Sequence, residues 1–323
     1  MRLKLVPENT DINFFGYWKA TFGASVVAMA LSLVVWAVMG LNFGIDFLGG
    51  TTIRTQSEQA VDVGAYRDAL GGLGLGDLAI SQVLDPTRPD LNAAQIRIQA
   101  QDGAEAVTSE TIAAVEAALR AVDPSIAFPL VESVGPKVSG ELIWTAILAV
   151  SAALAAILIY IWLRFEWQFS VGAIVALVHD VVLTIGIFSL LQIRFDLATI
   201  AALLTIIGYS INDTVVIFDR LRENLIKYKR TPLIEVMNRS VNETLSRTVM
   251  TSGTTLIALL ALLILGGDVI RGFVFAIFWG VIVGTYSSVY VAKNVVLMLG
   301  VDREPKSPEG GAGTQFADAD AKA

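Results

Sequence analysis

An aspartate inside an apolar run is the first feature of this sequence that points to chemistry. Asp213 lies in the run Phe195 to Phe218, which is long enough to span a membrane, and six residues before the charged sequence DRLREN. An ionisable side chain at the centre of a bilayer costs roughly 2.5 to 3.5 kcal/mol. Such residues usually face a bundle interior or water and mark a path for ions. We therefore expect Asp213 to be a functional group.

An arginine near the start of a later apolar run is the candidate partner of Asp213. Arg247, in NETLSRTVMTSGTT, lies near the cytoplasmic entrance of an antiparallel neighbour, so the two groups can meet at a similar depth. A guanidinium keeps its charge throughout and suits a fixed positive role. We predict a switchable ion pair in which protonation of Asp213 releases Arg247. The alternative is a static salt bridge that holds two helices in register.

Four further polar residues lie in the same spans. His179 and Asp180, in ALVHDVVLTIG, either belong to a proton path or hydrogen-bond across helices. Asn212 either orients Asp213 or bridges helices, and Tyr209 either supports the path or packs in the interior with its hydroxyl satisfied locally. A spacing of four places small and hydroxylated residues on common helix faces, as close helix packing in lipid requires. The first such face contains Gly172, Ala176, Asp180 and Thr184.

The composition is that of a membrane protein. Of the 323 residues, 54% are hydrophobic and 16% are charged, and the mean hydropathy is +0.65. The chain has no cysteine and one histidine, which excludes thiolate catalysis, iron-sulfur clusters, cysteine-ligated zinc and a multi-histidine metal site. Between residues 42 and 141 there are 6 basic and 14 acidic residues, a balance unlike that of a nucleic-acid binder.

Six apolar runs divide the chain. We expect a cytoplasmic N-terminus at 1–19, a retained first span at 20–41, an external domain at 42–141, five spans within 142–299 and a disordered cytoplasmic tail at 300–323. The segment 219–247 holds 7 basic and 4 acidic residues, so the positive-inside rule places it in the cytoplasm. We expect it to be helical with a break near Thr231-Pro232, because proline disfavours helix in the residue before it.

The external segment shows short periodic stretches separated by turn residues. GGTTIRTQS, LAISQVL, AAQIRIQA and SIAFPLVESV are typical of strands, whereas VDVGAYRDALG and AEAVTSETIAAVEAALRAV are typical of helices. The order β-α-β-β-α-β predicts an antiparallel sheet with both helices on one face, a ferredoxin-like α+β domain.

The motif GIDFLGGT follows the first span directly. Gly49 and Gly50 permit a sharp or left-handed turn where the chain leaves the membrane for its first strand. Asp46 would lie at the external boundary, where its charge costs little, which argues against a catalytic role.

These motifs together resemble a known family. GIDFLGGT, the inserted external domain, ALVHDVVLTIG, and above all YSINDTVVIFDRLREN followed by NETLSRTVMTSGTT are similar to the SecF members of the SecD/SecF protein-export family, which is related to the proton-driven RND superfamily. The similarity extends from about Phe14 to Leu299. It implies a six-helix RND-type bundle with one periplasmic domain between the first two spans, in a bacterial inner membrane with both termini cytoplasmic.

The resemblance also implies partners and roles. It implies pairing with SecD, association with the SecYEG channel and YajC, and a functional link to the SecA ATPase. Asp213 and Arg247 match the proton-relay pair of the family, with protons as the coupling ion and no other cofactor. The periplasmic domain would bind or clamp the unfolded exported polypeptide, and the chain would not be an enzyme.

Three other functions are open on the sequence. An RND-type exporter of small molecules or lipids normally has two large external domains in a much longer chain. An intramembrane aspartyl protease would need the carboxylates of Asp180 and Asp213 to share a proton at hydrogen-bonding distance, and neither lies in a YD or GxGD context. A pure scaffold would not explain an aspartate inside a span.

Overall fold

The computed structural model describes residues 10–76, 78–83, 92–99, 107–266 and 268–301. The elements are α1 (Trp18–Met39), β1 (Asn42–Phe43), α2 (Ile45–Leu48), β2 (Gly50–Ser57), α3 (Val63–Gly71), β3 (Leu78–Val83), β4 (Asn92–Gln99), α4 (Ser109–Val122), β5 (Ala127–Val134), α5 (Pro136–Arg164), α6 (Trp167–Leu191), β6 (Arg194–Phe195), α7 (Leu197–Lys227), α8 (Leu233–Leu265), α9 (Asp268–Ser287), a π-helical turn (Ser288–Ala292) and α10 (Lys293–Leu299). Residues 1–9 of the expected N-terminal segment, the DPTRPD turn and nearly all of the expected disordered tail lie outside the described residues.

Six helices in the described part of the chain are long and apolar enough to cross a membrane. They are α1, most of α5, α6, α7, α8, and the continuous helix formed by α9, the π-helical turn and α10. Only 6% of the most apolar window of α1 and of α5 is buried, against 44% in α6 and in α7. The chain is therefore a multi-pass α-helical membrane protein whose first and second spans lie on the outside of the bundle.

Helices α7 and α8 extend well beyond their apolar runs. α7 continues to Lys227 and α8 begins at Leu233, so most of the segment expected to connect two spans is helical. The expected break near Thr231-Pro232 is confirmed, since Pro232 is the N-cap of α8. Beyond their apolar runs the two helices are joined by an ion pair, since Arg220 Nε of α7 lies 2.7 Å from the carboxylate of Glu243 on α8. Within α8, Arg239 Nε lies 3.1 Å from the same carboxylate.

The domain between α1 and α5 has its six elements in the order that the sequence pattern predicts. Its antiparallel sheet has the strand order β3-β4-β2-β5. Ile53, Ile96 and Ile98 share one face of the sheet, and Tyr66 of α3 and Leu119 of α4 pack against that face. Both helices therefore cover the same side of the sheet and leave the other side to face the rest of the chain.

A buried carboxylate holds the end of α4 to the first strand of this sheet. The carboxylate of Asp123 accepts hydrogen bonds from the Ser125 hydroxyl at 2.6 Å, from the Ser125 amide at 2.9 Å and from the Ser57 hydroxyl. The hydroxyls of Ser125 and Ser57, with the Ser125 amide, hold the pKa of Asp123 below its usual value of 3.8. The ionised form is therefore the one that the folded domain favours.

We expect this carboxylate to make the stability of the chain depend on pH in the acid range. A lowered pKa contributes stability that is present above the unfolded-state pKa of about 4 and is lost as the pH falls through the folded-state value. Asp123→Ala should lower the unfolding temperature of the chain in detergent at neutral pH, and the difference from the wild type should shrink at strongly acidic pH. A difference that stays constant or grows on acidification would contradict this assignment.

Candidate functional site

The carboxylate of Asp213 is buried between α7 and α8. Asp213 is only 3% exposed, and its Oδ2 atom has no hydrogen-bond partner among the described residues. Arg247 and the Ser252 hydroxyl of α8 lie within its electrostatic reach, and Ser252 itself hydrogen-bonds Thr285 of α9 at 2.7 Å. The acid therefore lies on the inner side of α7, where three helices meet.

Arg247 lies at the depth expected from the sequence but does not form the predicted ion pair in this structure. Asp213 lies 14 residues before the end of α7 and Arg247 lies 14 residues after the start of α8, so the two antiparallel helices bring them to one level. Arg247 is nevertheless exposed, and no ion pair within 4.0 Å joins it to Asp213 or to another described acid. The two charges are therefore near each other but unpaired.

Asp180 lies at the centre of a second polar cluster, in which both oxygens of its side chain have partners. Its Oδ2 atom accepts hydrogen bonds from the hydroxyls of Ser210 at 2.6 Å and Ser287 at 2.9 Å, and its Oδ1 atom lies 3.0 Å from His179 Nδ1. The His179 ring stacks on Tyr286 with centroids 6.1 Å apart. Asp180 thus binds α6, α7 and α9 together at the point where the π-helical turn begins.

The hydrogen bonds of Asp180 extend along α7 without reaching Asp213. From Asp180 the hydrogen bonds continue through Ser210 and Ser288 to the Thr214 hydroxyl, next to Asp213 in the chain. No hydrogen bond in the described residues continues to the Asp213 carboxylate itself. The two carboxyl groups are therefore not hydrogen-bonded to each other, as the shared proton of an aspartyl protease would require.

Asn212 and Tyr209 contact Asp213 less directly than the sequence suggested. Asn212 is exposed, and its side chain makes no hydrogen bond to a described residue. Tyr209 is half-buried and donates from its hydroxyl to Thr255 Oγ1 of α8 at 3.4 Å. In this conformation neither residue orients the Asp213 carboxylate by a hydrogen bond.

The GIDFLGGT motif, residues 44–51, lies at the N-terminal end of α7. Gly49 and Gly50 have φ angles of +72° and +128°, so both adopt backbone conformations that favour glycine where β2 begins. Asp46 is half-buried, and its Oδ2 atom accepts a hydrogen bond from the Leu197 amide at 2.9 Å. The motif therefore contacts the first residue of the helix that holds Asp213.

A buried lysine is the residue that sequence reasoning missed. Lys293 is 1% exposed, and its ammonium lies 3.7 Å from the centroid of the Phe15 ring and 5.3 Å from those of Phe14 and Tyr290. Its Nζ atom has no hydrogen-bond partner among the described residues. The signal was available, because Lys293 is the one charged residue between positions 273 and 299.

We expect Lys293→Met to stabilise the bundle. A cation over aromatic rings gains up to about 2 kcal/mol, whereas burial of an ammonium costs several kcal/mol. Even buried ion pairs can often be replaced by apolar residues of similar volume without loss, or with a gain of about 1–4 kcal/mol. Thermal unfolding in detergent measures the effect, with Lys227→Met as control because Lys227 is exposed and lies 5.2 Å from the Tyr228 ring. A lower unfolding temperature for Lys293→Met would show that the ammonium is stabilising.

Comparison with known proteins gives the family. The model of the family described as protein export membrane protein SecD/SecF, C-terminal, matches residues 114–302, and that of the SecD/SecF GG motif matches residues 34–61. The chain is 67% identical to the protein translocase subunit SecF of Cereibacter sphaeroides over 99% of both chains. It is 64% identical to that of Rhodobacter capsulatus over 95% of both chains.

Solved structures show the same fold within a longer polypeptide. The crystal structure of SecDF from Thermus thermophilus, a translocon-associated membrane protein, superposes with a TM-score of 0.80 at 39% identity over 91% of this chain. A SecDF crystal structure in a super-membrane-facing form superposes with a TM-score of 0.67 at 41% identity over 90% of this chain. In both cases the chain spans only 39% of the length of the solved polypeptide. By full-length identity, matched motifs and fold, this chain belongs to the SecF family of protein translocase subunits.

Proposed function

We propose that this chain is a proton-coupled accessory subunit of the Sec translocase that acts with SecD in the late stages of protein export, and that it is not an enzyme. The observation that carries the proposal is the Asp213 carboxylate, buried in a span without a hydrogen bond to Oδ2, beside an Arg247 that forms no ion pair. An acid in that place is satisfied either by a proton or by closure onto the guanidinium. Its two protonation states therefore favour two different positions of α7 relative to α8.

The energy available from one proton fits a small movement. A charge that crosses the membrane field gains about 2.3 kcal/mol per 100 mV. To invert a two-state equilibrium from 1:99 to 99:1 takes about 5.5 kcal/mol. One proton per cycle can therefore bias the position of an external domain and prevent a polypeptide from sliding back, but it cannot unfold a stable substrate.

SecD is the partner that the surface of this chain favours. Arg247 and Asn212 are exposed on α8 and α7, at a depth where contact with acyl chains would be costly. A second helical half that covers this face would supply polar partners for both side chains. The solved SecDF polypeptides are more than twice as long as this chain, which leaves room for such a half in those proteins.

The distribution of charge supports an orientation in the bacterial inner membrane. The basic 219–247 segment belongs on the cytoplasmic side, which puts both termini of the chain there and residues 42–141 in the periplasm. The strand order β3-β4-β2-β5 supports assignment of that periplasmic domain to the ferredoxin-like class. Association with SecYEG and YajC, cooperation with SecA, and binding of the unfolded exported polypeptide by the domain complete the proposal.

The role of Arg247 provides the test. In vesicles that contain this chain and SecD, Arg247→Met should abolish the part of exported-protein release that depends on a proton gradient, because the fixed charge is lost. Arg247→Lys should retain part of that release, since a lysine keeps the charge but not the planar fork. Arg230→Met, at an exposed position beyond the end of α7, serves as control.

Two outcomes would contradict the proposal. Full gradient dependence in Arg247→Met, at normal amounts of inserted protein, would remove Arg247 from the relay. Failure of a SecD-like protein to co-purify with this chain would favour the small-molecule or lipid exporter of the RND type.

A further inference from the structure

The external domain and the membrane bundle meet at a short, closely packed segment. β1 pairs in parallel with β6, and the Gly44 amide donates to the Phe195 carbonyl at 2.7 Å. A Cβ atom on Gly44 would lie 3.1 Å from Arg194 Nε and 3.2 Å from Asp196 Cβ. This segment therefore holds the start of the domain against the loop that leads into α7.

Asp46 adds a contact that α7 does not need for its own cap. Asp196 already caps the helix through a capping box with Thr199, with a hydrogen bond of 3.0 Å from the Thr199 amide to Oδ1. The Leu197 amide is one of the N–H groups that a helix leaves unpaired in its first turn. Asp46, which belongs to α2, accepts from that amide. Its hydrogen bond therefore connects α2, which precedes the first strand of the domain sheet, to the N-terminal end of α7.

The domain sheet carries a cation, Arg97, on the face that contacts α2. Ile96 and Ile98 lie in the domain core, so Arg97 between them lies on the opposite face of the sheet, the face that contacts α2. Its Nε atom is buried without a hydrogen-bond partner among the described residues, and Arg194, Asp196 and Asp46 lie within its electrostatic reach. Burial, and then the charge of Arg194, lower the pKa of Arg97, while the two aspartates oppose that effect.

The geometry points to Asp46 as a positioning residue that couples α7 to the external domain. Its carboxylate accepts a hydrogen bond from the Leu197 amide and belongs to α2, the helix packed on the face of the domain sheet that carries Arg97. This inference rests on the proposed function, because it assigns the route by which a change at Asp213 moves the domain. Between Leu197 and Asp213 the helix is continuous over 16 residues, about 24 Å at 1.5 Å per residue. A tilt or shift of α7 at Asp213 would therefore also move the N-terminal end of the helix, where Asp46 is bound. The turn at Gly49 and Gly50 connects Asp46 directly to β2, so the strand would move with it.

A pair of distance labels tests the coupling, since the chain has no native cysteine. Labels on Ala117→Cys of α4 and Leu191→Cys of α6, both exposed, report the distance between domain and bundle by pulsed electron paramagnetic resonance. The measurement uses the complex with SecD in vesicles, with and without a proton gradient. The infrared band of the protonated Asp213 carboxyl provides a second readout in the same samples.

Asp46→Asn separates coupling from a helix-capping role. The amide oxygen of asparagine still accepts from Leu197, so a capping role alone predicts wild-type behaviour. We expect an unchanged unfolding temperature and an unchanged Asp213 band, but loss of the gradient-driven distance change. Arg97→Gln should lose the change and Arg97→Lys should retain it, and Asp68→Ala, at an exposed site on α3, should behave as the wild type.

The outcomes also distinguish this inference from the proposed function. An intact distance change in Asp46→Asn or in Arg97→Gln, together with its loss in Asp213→Asn, would overturn the coupling role and leave the proton role standing. A distance change that persists in Asp213→Asn would overturn the proposed function itself.

Discussion

Asp213→Asn should insert and fold normally and yet lose gradient-dependent export almost completely. Asparagine has nearly the same shape as the protonated acid, so packing between α7 and α8 is preserved, but it can neither release a proton nor attract Arg247. The site is then fixed in one of its two states, and a site that does not change its protonation cannot bias a two-state movement. Release of an exported protein from vesicles, with the gradient imposed and then dissipated, measures the loss.

The matched control lies on the same helix. Asp219 is six residues further along α7, its side chain is 48% exposed, and it forms an ion pair with Arg164 at 3.1 Å. An exposed pair of this kind contributes about 0–1 kcal/mol, so Asp219→Asn should leave export close to the wild type. Equal loss in both variants would indicate a general effect of negative charge on α7. Retention of gradient dependence in Asp213→Asn would remove this acid from the mechanism.

The sequence was informative wherever a pattern extends over many residues. The cost of an ionisable group in lipid singled out Asp213, and the structure places that carboxylate inside the bundle. Turn residues and alternating strands predicted the β-α-β-β-α-β order, and Pro232 predicted the helix break. In each case the local preference of the residues agrees with the structure that they adopt in the fold, so the single sequence was sufficient.

The sequence was less informative where a side chain can take one of several directions. The depth of Arg247 follows from helix length, but its exposure depends on how α8 is rotated against α7, which spacing alone does not fix. Asn212 is exposed for the same reason. The contact between Asp46 and Leu197 joins residues 151 positions apart through β1 and β6, which are two residues each and too short for a periodic signal.

The second large expected effect is a loss of stability when the packing of α6, the helix that carries Asp180, is disturbed. Gly172 lies two turns before Asp180 on α6, where a Cβ atom would be 2.7 Å from the Ala292 carbonyl oxygen and 2.8 Å from Val296 Cγ2. The nearest atom belongs to the backbone of the π-helical turn, so no side-chain rotation can relieve the overlap. Gly172→Ala must therefore separate α6 from this turn and stretch the hydrogen bond from Ser287 to Asp180.

We expect Gly172→Ala to destabilise the chain by about 1–3 kcal/mol, the usual cost of overpacking. The control has the opposite expected sign. Gly208 of α7 has nothing within 4 Å of an added Cβ, so Gly208→Ala should gain up to about 1 kcal/mol from helix propensity alone. Thermal unfolding in detergent compares the two variants, and the infrared band of the Asp180 carboxyl group reports the hydrogen bond directly. Because the same substitution should lower stability at one glycine and raise it at the other, a parallel change in both variants would show that the contact with the π-helical turn does not hold Asp180 in place.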